Sequence, residues 1–314
     1  MHVEGEIPAA RAAAKHGLAL GHSNFASSRF EDMVRVNPNS VYQLYWSGTR
    51  DENAGRIGRA TAAGSKALIV TMDALPIQAR DWGSPAIPAQ LDLKSMIKFA
   101  PMGLSRPRWL ASYLAQGKLP DLTVPNFGDA HGTVPTMMET FMDWIATPLP
   151  TWNDVKWIRS LWDGPLMVKG IWRPDDALRA IDAGATAIGV SNHGGNNLDT
   201  TMSPLRALPA IVVAVNGQAE ISYDSGVRRG GDVVKALALG ADIVLVRRAW
   251  LFGLSADGER GVSEVVNALR SSFDKMMLGL GHNSISEISR ADLVLPEGFV
   301  LDNSAFASIE ALSA

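Results

Sequence analysis

The hydrophobic pattern of the chain repeats as an alanine-rich helical end, a glycine and a short apolar run. The clearest copies are RATAAGSKALIV at 59–70, RAIDAGATAIGV at 179–190 and KALALGADIVLV at 235–246. The glycine suits the position just after a helix, where φ is positive. A run that is apolar at nearly every position is typical of a parallel strand covered on both faces. The repeat therefore predicts a parallel α/β fold.

Seven such runs are candidate strands, near residues 18–23, 41–46, 66–73, 165–171, 187–192, 220–226 and 242–248. Where they follow one another directly, one strand–helix unit takes about 25 residues, which favours a (β/α)8 TIM barrel over an open sheet. That barrel has eight strands, and the shortage falls at the N-terminus, where the chain opens with a helical pattern. We expect an α/β barrel that lacks its N-terminal region and first strand.

Residues 74–150 do not follow the repeat and are rich in proline, tryptophan and methionine. Because irregular segments of this length usually have a function, we interpret this one as a long inserted lid or interface segment. The rest of the pattern is continuous, so residues 1–314 are predicted to form a single domain.

Composition narrows the class of protein. The chain is 46% hydrophobic with a net charge of -3, which allows a sizeable core and gives no electrostatic reason to expect nucleic acid. The absence of cysteine excludes disulfides, thiolate metal sites and cysteine nucleophiles. The first residues lack a basic stretch followed by an apolar core, so we expect no signal peptide. No apolar run approaches the roughly 20 residues that span a bilayer. A cytoplasmic protein without a metal site is expected.

Polar residues follow nearly every predicted strand, at the end of the barrel where this architecture carries its chemistry. Any one of them could simply cap the next helix. A purely structural scaffold, however, does not need such a group at strand after strand, so we predict an active site here. The residues are Ser23, Gln43, Tyr45, Thr71, Asp73, Lys169, Ser191, His193, Asp224, Arg228 and Arg248.

Two of these residues are candidates for proton and charge chemistry. Lys169 ends an apolar strand, where an unpaired cation is penalised; it is therefore paired, or it forms a Schiff base, or it stabilises negative charge on a cofactor. His193 follows the next strand, and an imidazole can take a proton near neutral pH. Asp73 could orient that imidazole and stabilise its protonated form.

The last two strand ends indicate an anion site. DSGVRRGGD and VRRAW combine small residues with arginines. Backbone N–H groups of a glycine-rich turn bind anions, and Arg228 and Arg248 could each hold phosphate oxygens through a bidentate contact. A phosphate site at this place recurs in barrels of this type.

The segments LMVKGI, SNHGGNNLD, YDSGVRRGGDVVKALALGAD, YQLYW and VTMD resemble the FMN-dependent α-hydroxy-acid oxidase and dehydrogenase family. HGGNNLD and RDWGSPAIPAQLDLKSMIKFAP are similar to the branch of that family that serves mycofactocin biosynthesis. The resemblance implies FMN as cofactor, a small-molecule substrate oxidised by hydride transfer to the flavin, and assembly of the chain as a homo-oligomer, commonly a tetramer.

The resemblance also implies a role for each matching residue. His193 would be the base, held by Asp73, while Lys169 would stabilise the reduced flavin. The cofactor-binding set would be Ser23, Gln43, Thr71, Lys169, Ser191, Asp224, Ser225, Gly226, Arg228, Arg247 and Arg248. The substrate-binding set would be Tyr45, Arg80, Asn196 and Asn197.

Asn196 stands where typical 2-hydroxy-acid oxidases carry an arginine for the substrate carboxylate. An asparagine offers a neutral amide, and a buried carboxylate that loses a cation costs about 3–5 kcal/mol. A neutral carbonyl beside the oxidised carbon is therefore predicted, as in the peptide-derived amino-lactam of the mycofactocin branch, which becomes an α-keto lactam. Arg80 could still bind a carboxylate, so a lactate-like oxidase or dehydrogenase is the alternative.

Two further departures leave a third interpretation open. Arg247 and Ser225 both replace glycines of the phosphate turn, and a side chain at either position could obstruct the phosphate, the more so where φ is positive. A barrel of seven strands also has an open edge. The chain could then be a catalytically inert barrel that acts as a partner subunit.

Overall fold

The structure, a computed structural model, describes residues 2–74, 88, 91–128, 133–198 and 200–300. Seven strands occur in this part of the chain: β1 (Leu20–Ser23), β2 (Ser40–Tyr45), β3 (Leu68–Thr71), β4 (Leu166–Ile171), β5 (Ala187–Val190), β6 (Glu220–Tyr223) and β7 (Ile243–Val244). The helices are α1 (Ile7–Lys15), α2 (Phe30–Val36), α3 (Arg50–Ala63), α4 (Leu93–Leu104), α5 (Pro107–Ala115), α6 (Met137–Ala146), α7 (Trp152–Leu161), α8 (Pro174–Asp182), α9 (Pro204–Val215), α10 (Gly230–Ala238) and α11 (Arg248–Leu280).

The predicted helix–glycine–strand repeat is confirmed. Gly64, Gly184 and Gly240 each have a positive φ, of 85°, 97° and 100°. Gly64 follows α3 directly, whereas one residue separates Gly184 from α8 and Gly240 from α10, and each glycine precedes a strand by a few residues. Only glycine adopts this conformation without strain, so the glycine ends the helix and turns the chain into the following strand.

The chain divides into two compact units. The first comprises Met1–Lys66, Pro76–Leu149 and Phe252–Val262. In it β1 and β2 pair in parallel, with Ser23 opposite Gln43, and α2 packs against both α1 and α3. Met33, Leu44 and Ile57 are fully buried and form its interior.

The second unit comprises Ala67–Leu75, Pro150–Leu251 and Ser263–Ala314. Strands β3 to β7 pair in parallel and in chain order. Every residue of β3 and β5 is buried. Apart from Thr71 at the end of β3 these residues are apolar, as expected of parallel strands covered on both faces. The core of this unit includes the fully buried side chains of Val168, Ile188, Leu208 and Ile211.

The described part of residues 74–150 is largely helical, since it contains α4, α5 and α6. No residue of α4 is buried. That this segment acts as a lid or an interface, and that the whole chain behaves as a single domain, stay predictions.

No helix in the described part of the chain is both long enough and apolar enough to cross a membrane.

Candidate active site

The ends of three strands bring Thr71, Lys169 and the β5 terminus together. The register places Thr71 of β3 opposite Lys169 of β4, and Lys169 opposite Gly189 of β5. A Cβ at Gly189 would lie 2.9 Å from the Lys169 Cα, so the small residue allows β4 and its lysine to approach closely. The register of β4 shifts between Lys169 and Ile171, which displaces Gly170 from the regular pairing.

Asp73 contacts His193. Asp73 lies two residues after β3, and its Oδ1 is 3.1 Å from Nδ1 of the imidazole. Both side chains are largely buried, with exposed fractions of 10% and 8%. A carboxylate can only accept, so Nδ1–H donates to it and Nε2 carries the lone pair. The predicted pairing of a base with its orienting carboxylate is thus present within the second unit.

Lys169 is paired with Asp224. Its Nζ lies 3.1 Å from Asp224 Oδ2 and 4.0 Å from Asp73 Oδ2. The ammonium also donates to Ser191 Oγ at 2.8 Å. Ser191 is fully buried, and its hydroxyl donates to Asp224 Oδ1 at 2.7 Å. Burial of the lysine is therefore compensated by a carboxylate and a hydroxyl.

The turn after β5 explains the two glycines that follow His193. His193, Gly194 and Gly195 all have positive φ, of 57°, 71° and 71°. The main-chain N–H of His193 donates to Ser191 Oγ at 3.1 Å, and that of Gly195 donates to Asn192 Oδ1 at 3.1 Å. Residues with a Cβ are strained at positive φ, so glycine is favoured at positions 194 and 195.

The turn after β6 is left-handed as well. Ser225 and Gly226 have φ values of 85° and 90°, so the serine occupies a conformation that favours glycine. Its hydroxyl donates to Asp224 Oδ1 at 2.8 Å and accepts the Gly194 N–H at 3.1 Å. Tyr223 OH donates to the Ser225 carbonyl at 2.7 Å, while burial raises the pKa of this phenol to about 12.

The arginines lie at the surface near these turns. A Cβ at Gly194 would lie 3.3 Å from Nη2 of Arg248, so the guanidinium is next to the His193 turn. Arg228 and Arg247 are exposed. Arg247 has a φ of -118°, a value that any residue adopts, so the backbone there does not require a glycine. The strand prediction at 242–248 was too long, because β7 ends at Val244 and Arg248 is the first residue of α11.

The other predicted positions lie elsewhere. In the first unit Ser23 ends β1, Tyr45 ends β2, and Gln43 lies within β2. The Tyr45 ring packs against Phe25 and Trp144. Arg80 lies outside the described residues. The cofactor and substrate roles of these residues stay predictions.

Asn196 and Asn197 differ in their surroundings. Asn196 is exposed, whereas Asn197 is 8% exposed and its Nδ2 donates to the Asp73 main-chain carbonyl at 2.9 Å. The Asn197 Oδ1 accepts from Asn196 Nδ2 at 3.3 Å. Asn197 therefore contacts the loop that carries the carboxylate.

Two further residues build the site without having been singled out from the sequence. Gly170 has a φ of 106°, and it lies against Asp73; the Lys-Gly pair at the end of an apolar run is the signal that could have found it. Asn192 links the turn after β5 to the segment before α9, because its Nδ2 donates to the Met202 carbonyl at 3.3 Å. No pattern in the sequence distinguishes it from an ordinary loop asparagine.

The sequence and the fold can be compared with those of known proteins. The model of the family described as FMN-dependent dehydrogenase matches residues 1–295. The chain belongs to this family. It is an FMN-dependent oxidoreductase, as the resemblance had predicted.

Among its relatives is the pre-mycofactocin synthase of Mycobacterium tuberculosis, which is 48% identical over 298 residues, or 95% of this chain and 75% of the relative. The L-lactate dehydrogenase of Pseudomonas putida is 38% identical, covering 92% of this chain and 76% of the relative. The crystal structure of the monotopic membrane protein (S)-mandelate dehydrogenase matches with a TM-score of 0.78 and 31% identity, over 93% and 76% of the two chains. The predicted barrel fold is confirmed as that of the FMN-dependent hydroxy-acid dehydrogenases.

The residues of the second unit fit FMN, the cofactor of this family. Lys169 would supply a cation for the electron-rich edge of the flavin. A Cβ at Gly194 would occupy the space beside the Arg248 guanidinium, which is a suitable partner for a phosphate. The left-handed turn at Ser225 and Gly226 lies between these groups in the chain. The donor set therefore agrees with a negatively charged, phosphorylated ring system.

Proposed function

We propose that this FMN-dependent oxidoreductase acts on a peptide-derived amino-lactam, as an enzyme of the pre-mycofactocin synthase type. It would oxidise the carbon–nitrogen bond to an imine, which water hydrolyses to an α-keto lactam and ammonia. The observation that carries the proposal is the His193–Asp73 contact of 3.1 Å, beside a turn that bears Asn196 in place of a carboxylate-binding arginine. The 48% identity over 95% of the chain supports the same choice.

His193 would act as the base. Because Nδ1–H donates to Asp73, Nε2 is the ring nitrogen that would take a proton from the substrate nitrogen. The Asp73 carboxylate then stabilises the imidazolium that forms. FMN, when bound, supplies the acceptor for the hydride that leaves the substrate carbon. The nitrogen loses a proton and the carbon loses a hydride, so the C–N bond becomes a double bond.

Lys169 would balance the negative charge that accompanies reduction. Its ammonium is held by Asp224 at 3.1 Å and by Ser191 at 2.8 Å, so the protein's own side chains fix its position. A cation that is already oriented does not need to reorganise as charge develops.

Asn196 would contribute to the choice of substrate. Its amide can donate to a neutral carbonyl and accept from an N–H group, which suits a lactam. It cannot neutralise a carboxylate, and an unpaired buried carboxylate is costly. Substrate selection would then rest on the absence of a cation at this position.

The test is anaerobic bleaching of the flavin. With the amino-lactam, the wild-type flavin should bleach, and His193→Ala should bind FMN but bleach about 10²–10⁴-fold more slowly. His282→Ala is the matched control, because His282 contacts Asp292 near the end of the described chain and should leave the rate unchanged. Bleaching by His193→Ala at the wild-type rate would remove the imidazole from its proposed role.

The alternative is a 2-hydroxy-acid dehydrogenase, which the 38% identity to an L-lactate dehydrogenase favours. Bleaching by L-lactate, with none by the amino-lactam, would establish it. Replacing Asn196 by arginine offers a second comparison: under our proposal, Asn196→Arg lowers activity toward the lactam and raises it toward a carboxylate substrate. A purified chain that takes up no added FMN would instead favour the inert partner subunit.

A further inference from the structure

Asn197 is singled out by its burial within an otherwise exposed turn. Gly194, Gly195, Asn196 and Leu198 are exposed, whereas Asn197 is 8% exposed. A buried amide needs partners for both its nitrogen and its oxygen. Asn197 has both, since Nδ2 donates to the Asp73 carbonyl at 2.9 Å and Oδ1 accepts from Asn196 at 3.3 Å.

Asp73, whose main-chain carbonyl accepts from Asn197, is not part of a strand. Asp73 lies two residues beyond the end of β3 at Thr71, so no strand pairing fixes its side chain. The main chain of β4 supports the preceding residue, because the Met72 N–H donates to the Lys169 carbonyl at 2.9 Å. At Asp73 the support comes from Asn197. The Asn197 amide donates to the main-chain carbonyl of Asp73, and the carboxylate of Asp73 faces the imidazole.

These contacts form a closed circuit. His193 Nδ1 donates to the Asp73 carboxylate at 3.1 Å, the Asp73 carbonyl accepts from the Asn197 amide at 2.9 Å, and Asn197 is joined to His193 by a short turn of the same chain. A circuit of this kind fixes the distance between the imidazole and the carboxylate from both sides. A base that is held by its own turn loses little orientation when the surrounding loops move.

We propose that Asn197 is a positioning residue that holds Asp73 against His193 and thereby fixes the Nδ1–H tautomer of the imidazole. The inference rests on the proposed role of His193 as base. It also changes the role expected for Asn197 from the sequence, because an amide that is engaged with Asp73 and Asn196 orients the base instead of binding substrate. Asn196, at the exposed side of the pair, keeps its proposed contact with the lactam.

The first test does not depend on activity. In the FMN-loaded full chain labelled with ¹⁵N-histidine, ring nitrogen shifts report the tautomer of His193, and the signal is assigned by its loss in His193→Gln. The wild type should show the Nδ1–H form, and Asn197→Ala should show a mixture with the Nε2–H form. Leu198→Ala, in the exposed neighbour, should match the wild type. An unchanged tautomer in Asn197→Ala, or an equal change in Leu198→Ala, would overturn the proposal.

Asn197→Asp keeps the shape of the side chain but removes the donor, so it serves where the alanine variant does not fold. It should also populate the Nε2–H form, and a wild-type tautomer there would equally overturn the proposal. Asn197→Gln, which retains the amide, should restore part of the Nδ1–H signal. A Gln variant no better than Ala would contradict a role for the donor.

The second test separates kcat from KM in flavin bleaching by the amino-lactam. A residue that orients the base affects the reacting step, so Asn197→Ala should lower kcat about tenfold or more and leave KM unchanged. A loss that appears equally in kcat and KM would identify a merely structural role and overturn the proposal.

The outcomes separate the two proposals. A change of tautomer in a chain that oxidises no lactam would support the positioning role and reject the proposed reaction. An enzyme that oxidises the lactam and whose His193 tautomer does not change when Asn197 is replaced would support the proposed reaction and reject the positioning role.

Discussion

Gly170 lies so close to Asp73 that a Cβ at residue 170 would be 2.4 Å from the Asp73 Cβ. Its φ of 106° lies in the region that disfavours every other residue. The bulge in β4 after Lys169 therefore places Gly170 directly against Asp73, the carboxylate that follows β3.

Gly170→Ala should destabilise the protein by about 2–4 kcal/mol, since it adds the strain of a left-handed backbone and a steric clash. It should also slow flavin bleaching, because Asp73 has to move. Urea unfolding and anaerobic bleaching measure the two effects. Gly217→Ala is the control: its φ is 73° with nothing within 4 Å of the added Cβ, so it carries the backbone cost alone. Equal losses in both variants would rule out the clash.

The Lys169–Asp224 pair should show strong coupling. The side chains are 12% and 16% exposed, and removing one partner of a mostly buried pair leaves the other charge uncompensated. Asp224→Asn alone should cost about 3–5 kcal/mol, while Lys169→Met combined with Asp224→Asn should cost less than the sum of the single changes.

A double-mutant cycle on the free energy of unfolding measures this coupling. The matched control is Arg179 with Asp176 on α8, a pair with side chains 51% and 31% exposed, whose coupling should be about 0.3–0.5 kcal/mol. Simple additivity at Lys169 and Asp224 would show that their ion pair is not formed in solution.

Ser225 combines a strained backbone with two useful hydrogen bonds. With φ at 85°, Ser225→Gly should relieve about 1 kcal/mol of strain, whereas the loss of its contacts with Asp224 and Gly194 costs a similar amount. Ser225→Ala keeps the strain and loses the contacts, so it should be less stable than Ser225→Gly by about 1 kcal/mol. Thermal unfolding of the two variants side by side measures the difference. Equal stability would mean that residue 225 is not left-handed.

Stability should fall as the pH drops below about 6.5 because of His22. Burial lowers the pKa of this imidazole from its ordinary 6.5, against the opposing influence of the Ser28 carbonyl and Glu6. Below pH 6.5 the imidazole therefore binds a proton in the unfolded chain but not in the folded chain. As the pH falls, the free energy of unfolding decreases by up to about 1.4 kcal/mol per pH unit until the pKa of the folded state is reached.

Urea unfolding of the wild type and His22→Gln between pH 5 and 7 checks this, and the variant should show the smaller slope. Glu6 is the internal contrast. Burial acts to raise the pKa of its carboxyl, but hydrogen bonds from Ser28 and Ser27 outweigh burial and hold it below 4.5. Glu6→Gln should remove the stability that depends on the low pKa of Glu6 and, because Glu6 also opposes the lowering of the His22 pKa, should extend the His22 slope to lower pH. A His22→Gln slope equal to that of the wild type would contradict the assignment.

Much of the fold follows from local pattern. Gly64, Gly184 and Gly240 end helices with a positive φ, and each is followed by an apolar run, because helix termination and strand burial are both properties of a few adjacent residues. The short β7 is the exception. An apolar run such as that before Arg248 does not by itself show where pairing stops and a helix begins.

The candidate site was predictable in part for the same reason. His193, Lys169, Asp73 and Asp224 were found because they follow strands, and parallel strands end on one side. Their partners were not all foreseen. Asp224 was expected to bind the cofactor and contacts Lys169 at 3.1 Å, and Asn197 was expected to bind substrate and contacts Asp73 at 2.9 Å.

The sequence by itself determined the repeat, the order of the strands, the family and the types of side chain that stand at the strand ends. These depend on local periodicity and on short motifs, which can be read along the chain. Only the tertiary structure decided which carboxylate meets the imidazole, which one meets the lysine, and why Gly170 has no side chain. Those contacts join residues such as Asp73 and His193 that are far apart in sequence, and a hydrogen bond forms only where the folded backbone brings its two atoms within about 3 Å.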